Sequence, residues 1–193
     1  MRYAALFLAC RLAAGSRPGF HMTDISGAMP RLDFHMTRAS DGAAVSGDSY
    51  RGRVTILYFG YTNCPDICPA TLANLTGMLE KLNDKRVRVL FVTVDPGRDT
   101  LAALNAYSHA FSPQIEGLRG TDNQLADLAR RYRVAYSVDP KPPYTVMHSN
   151  AVFFFDPSGR IRLVTTDTGD IDAMAEDVRK LADETSPSPA LSR

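Results

Sequence analysis

The chain has 193 residues, 45% of them apolar, and a formal net charge of +1. That length and composition support one packed domain of ordinary size and argue against a disordered chain. The near-neutral charge and the lack of any Lys/Arg-rich run exclude the electrostatic footprint of nucleic-acid binding, so no nucleic-acid partner is expected.

In chain order, the opening "MRYAALFLACRLAAGS" has a basic start, a short apolar stretch and small residues after it, which resembles a secretory leader. Its apolar part, residues 3–10, is too short to span a membrane, and Arg11 interrupts it. Cys10 lies here, apart from the other two cysteines; Phe7 and Leu8 before it match a lipidation motif poorly. Residues 1–27 read as leader or linker, 28–184 as one domain, and 185–193 as a disordered Pro/Ser tail. "FHMT" occurs at 20–23 and again at 34–37; the second copy is expected to open a short strand.

Two continuous apolar runs, "VTILYFGY" (54–61) and "VRVLFVTVD" (87–95), read as strands buried on both faces. "AVFFFD" (151–156) and "IRLVTT" (161–166) flank "DPSG" and read as an antiparallel hairpin. Helical spacing joins Leu72, Leu75, Leu79 and Leu82, and then Leu101, Leu104, Tyr107 and Phe111. Leu125, Leu128 and Tyr132 follow the capping box "TDNQ", and Ile171, Met174, Val178 and Leu181 follow Asp170 as cap. The order β-α-β-α-(β)-α-β-β-α demands a parallel pair with a right-handed crossover. The hairpin then adds antiparallel strands to the same sheet. This is an α/β, thioredoxin-like arrangement: a mixed central sheet, helices on both faces, and a C-terminal hairpin plus helix.

The chemistry centres on "YFGYTNCPDICPATLANL" (58–75). Pro65 and Pro69 lack N–H groups and are tolerated only at or before a first helical turn. The helix is therefore expected to begin near Pro69, with Cys64 and Cys68 in the turn leading into it. A helix N-terminus favours negative charge and is expected to lower the thiol pKa. Thiolate serves both nucleophilic attack and metal binding, so a redox disulfide and a metal site stay open. Prolines and Asp66 around the pair argue against two cysteines that merely fill the core.

Of four histidines, His109 is expected on a helix surface. His21 and His35 each sit beside a methionine in the "FHMT" copies; such pairs can bind copper, but they read more simply as ordinary N-terminal residues. His148 stands apart. It follows the Pro-rich loop "DPKPPY" (139–144) and precedes a strand whose start, in a thioredoxin-like sheet, faces the cysteine turn. A histidine beside a dithiol is a base or a third metal ligand. Two thiolates and an imidazole form a soft three-donor set that suits copper, Cu(I) above all. Structural zinc would want a fourth protein ligand.

"YFGYTNCPDICPATL", "FVTVDPGRDT", "GLRGTDNQLADLARRYRV" and "HSNAVFFFDPSGR" together resemble the Sco/SenC family, the copper chaperones of cytochrome c oxidase assembly, over about residues 26–182. The resemblance implies a thioredoxin-like fold, with copper, as Cu(I) or Cu(II), bound by Cys64, Cys68 and His148. It implies a non-enzymatic role: delivery of copper, or of reducing equivalents, to the dinuclear copper site of a cytochrome c oxidase subunit. The expected place of work is outside the cytoplasm, periplasmic or membrane-associated on the outer side of the inner membrane. Other copper chaperones and thioredoxin-like reductants are further expected partners. The alternative is a thiol–disulfide oxidoreductase, or a peroxide-reducing thioredoxin-like enzyme, in which Cys64 and Cys68 cycle through a disulfide. Where the family often has Asp before the histidine, this chain has Met147, which strand alternation should point away from His148. Asp95, Arg98 and Asp99 of "DPGRDT" read as capping and loop closure, with shaping of the metal site or of a docking surface as the other reading.

Overall fold

The apolar run at residues 54–61 becomes the centre of the sheet. The computed structural model describes residues 19–184. Its elements are β1 (Thr23–Asp24), β2 (His35–Arg38), β3 (Ala44–Ser46), β4 (Thr55–Gly60), α1 (Ile67–Leu82), β5 (Arg88–Thr93), α2 (Leu101–Phe111), β6 (Ile115–Arg119), α3 (Asp122–Arg131), β7 (Tyr136–Asp139), β8 (Thr145–His148), β9 (Val152–Phe155), β10 (Ile161–Thr165) and α4 (Ile171–Asp183). The leader-like residues up to 18, Cys10 among them, and the tail from 185 lie outside the described residues.

Eight strands form one sheet in the order β1-β10-β9-β4-β5-β6-β2-β3. β4, β5 and β6 are parallel, and β9 joins β4 antiparallel. The sheet is therefore mixed, and all six residues of β4 are buried, as the uninterrupted apolar run predicts. Alternation sorts the helices between the faces. Tyr58 is in register with Phe91 and Val152, and Phe91 packs on Tyr107 of α2. On the same face Cys68 of α1 lies against Gly60, and Gly77 of α1 leaves room for Ile171 of α4. Leu57 pairs with Phe153, which points the other way and meets Tyr132 at the end of α3. The thioredoxin-like arrangement holds, with helices on both faces.

The expected caps are present. Asp170 accepts from the Ala173 N–H, and Thr121 with Gln124 closes a capping box; Thr100, which no sequence signal had marked, also caps α2 by accepting from the Ala103 N–H.

The structure departs from expectation in three places. The first helix starts at Ile67, two residues before Pro69, so Cys68 belongs to its first turn. Proline at the third helical position is tolerated because N–H groups there have no carbonyl to reach within the helix. Secondly, β7 and β8 form a separate two-stranded sheet between α3 and β9. Its strands alternate between exposed and half-buried residues, and prolines crowd its tip, so no apolar run betrayed it. His148 thus ends a strand of this hairpin instead of opening β9. Thirdly, residues 20–25, expected in the leader or linker, pack on the domain. β1 pairs antiparallel with β10, and the buried Asp177 of α4 accepts from the His21 and Met22 N–H groups, both at 2.8 Å.

A candidate metal centre at the start of the first helix

β4 delivers the chain to the sheet's end at Gly60. A Cβ there would come within 2.5 Å of the Phe91 ring and 3.0 Å of the Cys68 sulfur, so a glycine lets α1 press its first turn onto the sheet. Cys64 follows in the loop and Cys68 in the helix; the Cys68 N–H points at Cys64 Sγ at 3.4 Å. Both are free thiols. Cys68 is fully buried and Cys64 is 9% exposed, at the edge of burial.

The β7–β8 hairpin brings in the third group. His148 Nε2 lies 3.3 Å from Cys68 Sγ. The other ring nitrogen, Nδ1, is 2.9 Å from the Ser149 carbonyl oxygen, which only accepts, so Nδ1 carries the proton. Nε2 then keeps its lone pair and faces the sulfur. Burial pushes the imidazole pKa below its ordinary value, which favours this neutral form. The rings of Tyr58 and Tyr61 stand edge-on to the imidazole, at centroid distances of 6.2 and 5.9 Å.

The donor atoms of Cys64, Cys68 and His148 all lie within 4.8 Å of one another. Among the described residues this is the one group of three or more His, Cys, Asp or Glu side chains close enough to share an ion. His21 instead faces Glu176 at 3.2 Å on an exposed surface, His35 opens β2, and His109 is exposed on α2. Met147 is 71% exposed, as strand alternation expects for a neighbour of an inward His148.

One electrostatic expectation fails. The helix N-terminus was expected to lower the thiol pKa, yet Cys68 is pushed up to about 12, first by burial and then by its contact with the Cys64 sulfur. Desolvation of a buried thiolate outweighs the partial charge of a helix end. Cys68 therefore waits as a thiol and needs a cation to become a thiolate.

The "DPGRDT" segment does more than cap a helix. The fully buried Asp99 accepts from the Thr62 N–H at 3.0 Å, the Thr62 hydroxyl at 2.6 Å and the Thr93 hydroxyl at 2.6 Å. That ties the cysteine loop to the end of β5. Asp95, 1% exposed, accepts from the Tyr144 hydroxyl at 2.7 Å and from Arg98 Nε at 2.5 Å. Reading the sequence missed Tyr144, Tyr58 and Tyr61, because nothing in their local spacing marks what they touch.

The SCO1/SenC family model matches residues 27–183. The bovine mitochondrial SCO2 homolog is 44% identical over 117 residues, covering 57% of this chain and 44% of its own. The chain spans about half the length of the curated relatives it matches. Copper-bound ScoI of Arabidopsis thaliana aligns with a TM-score of 0.72 at 32% identity, over 80% of this chain and 98% of its own. Copper-bound yeast Sco1 aligns at 0.71 and 33% identity, over 83% of this chain and 92% of its own.

Proposed function

The chain belongs to the SCO1/SenC family, and on that premise we propose that it carries one copper ion on Cys64, Cys68 and His148 and hands it on. The observation that supports this most is the meeting of two sulfurs and a lone-pair nitrogen within 4.8 Å. The donor set fits copper: soft sulfur and imidazole suit Cu(I), and three donors suffice for it. Copper is cargo here, and the protein's task is to hold it loosely enough to release it.

The neighbouring groups suit that task. The Nδ1–H bond to Ser149 keeps Nε2 free to donate its lone pair. Capture expels the Cys68 proton, and release returns it, so proton and copper compete for one sulfur. Tyr58 and Tyr61 shield the imidazole from water. Hand-off by ligand exchange suits an acceptor that offers thiolates, so we take the receiver to be the dinuclear copper site of cytochrome c oxidase. The Sco family is one of cytochrome c oxidase assembly proteins. Work outside the cytoplasm, on the outer side of the inner membrane, belongs to the same proposal.

Metal analysis of the reduced protein tests the reading. We expect one copper per chain, lost from both Cys64→Ser and Cys68→Ser. Tight copper retention by either serine variant refutes the site. The closeness of the two thiols also supports the rival reading, a disulfide-exchanging enzyme. His148→Ala separates the two: copper carriage predicts loss of Cu(II) with Cu(I) only weakened, while disulfide exchange persists. An alanine variant that binds copper like wild type but no longer exchanges disulfides transfers the function to the enzyme.

A further inference from the structure

The three donors come from two separate pieces of chain, and one turn touches both. The cysteine loop carries Cys64 two residues after Thr62, and Thr62 hangs on Asp99 by its N–H and its hydroxyl. The β7–β8 hairpin carries His148 four residues after Tyr144, and Tyr144 hangs on Asp95 by its hydroxyl. Arg98 closes the second link: its Nε is 2.5 Å from Asp95 Oδ2, and its guanidinium carbon sits 3.6 Å from the centroid of the Tyr144 ring. The hairpin lies outside the main sheet. A cavity of about 350 Å³ lies beside it, lined by Val94, Asp95, Leu125, Tyr136, Val138 and Tyr144. Packing alone therefore does not seat the hairpin along its whole length. The Ser149 N–H to Ala135 carbonyl bond, at 2.9 Å, closes the hairpin's own base, and Tyr144 ties its tip to Asp95.

The geometry points to Asp95, Arg98, Asp99, Thr62 and Tyr144 as positioning residues that hold the two halves of the copper site together, an inference that rests on the copper reading above. Asp99 sets the loop that carries Cys64, and Asp95 sets the hairpin that carries the imidazole. The two arms serve different donors, so they serve different copper states. Cu(I) is content with two thiolates, whereas Cu(II) needs the nitrogen. Loosening the Tyr144 arm therefore costs Cu(II) and spares Cu(I). Loosening the Thr62 arm costs both.

The test uses two conservative variants of the reduced full chain, Tyr144→Phe and Thr62→Val, with His148→Ala as control. Tyr144→Phe keeps the ring under Arg98 and removes only the hydroxyl. Affinities for Cu(I) and Cu(II) come from competing chelators, and amide hydrogen exchange of residues 145–148 is followed without metal. Tyr144→Phe should weaken Cu(II) roughly tenfold or more, the scale of one hydrogen bond to a carboxylate, and leave Cu(I) within about threefold. Exchange in residues 145–148 should quicken. Thr62→Val should weaken both copper states. A Tyr144→Phe protein that keeps wild-type Cu(II) affinity, or loses both states alike, overturns the positioning role. If the His148→Ala control binds Cu(II) like wild type, the copper reading itself has failed, and the metal-free exchange then decides the latch: unchanged exchange in Tyr144→Phe overturns it.

Discussion

At the scale of single residues, in the proposed copper site the buried thiol of Cys68 governs how copper binding responds to pH. Its pKa is pushed up to about 12, so across the neutral range the sulfur carries a proton that copper must displace. The sign follows directly. Raising pH lowers the proton's concentration, the competitor weakens, and apparent copper affinity rises. Cys68 alone should contribute about a tenfold gain per pH unit everywhere below its pKa. A Cu(I) competition series from pH 6 to 9 checks this; a flat profile would mean that Cys68 is already ionised or is not a ligand. His148 pulls in the same direction only where it would otherwise be protonated, and its lowered pKa narrows that range.

At the scale of elements, the strand–helix joint at Gly60 sets how closely α1 approaches the sheet. Gly60→Ala should push a methyl into the Phe91 ring and the Cys68 sulfur, destabilising the fold by about 1–3 kcal/mol as overpacking does and moving the helix's first turn. Chemical denaturation and copper competition on the same variant report both effects. Wild-type stability with wild-type affinity would show that the joint has slack. The same elements explain what could be read from sequence. β4, β5 and the helices announce themselves because burial on both faces, or along one stripe, leaves long apolar patterns. Cys64, Cys68 and His148 were legible because reactive side chains stand out among prolines and polar loops. The β7–β8 hairpin was not legible: its strands alternate only between exposed and half-buried residues, so no apolar run marks them. The link of Tyr144 to Asp95 joins residues 49 positions apart, a separation over which no local rule operates. The start of α1 was misplaced because two prolines suggested a later beginning, although the third helical position accepts one.

At the scale of the molecule, the two ends of the domain are stitched together by residues outside the proposed copper site. The sheet's edge strand β1 holds only two residues, too few to stay by ladder bonds alone. Asp177, fully buried on α4, supplies the missing anchor by accepting from the His21 and Met22 N–H groups at 2.8 Å each, and Lys180 stands 3.5 Å away as its counter-charge. Removing the carboxylate strands two donors, and hydrogen bonds to a charged acceptor each count for about 1.5–3 kcal/mol. Part of that returns when the freed segment meets water. Asp177→Ala should therefore cost about 2–4 kcal/mol, or roughly 5–15 °C in Tm for a domain of this size. Since the stitch ties β1 and β10 to α4, while the proposed copper donors sit on α1, its preceding loop and the β7–β8 hairpin, copper affinity of the folded variant should stay within about twofold of wild type. Thermal unfolding and copper competition measured side by side decide it. An unchanged Tm would show that the Asp177 anchor contributes nothing to the fold, and a large loss of copper affinity would show that the stitch reaches the proposed site through the α1–α4 contact.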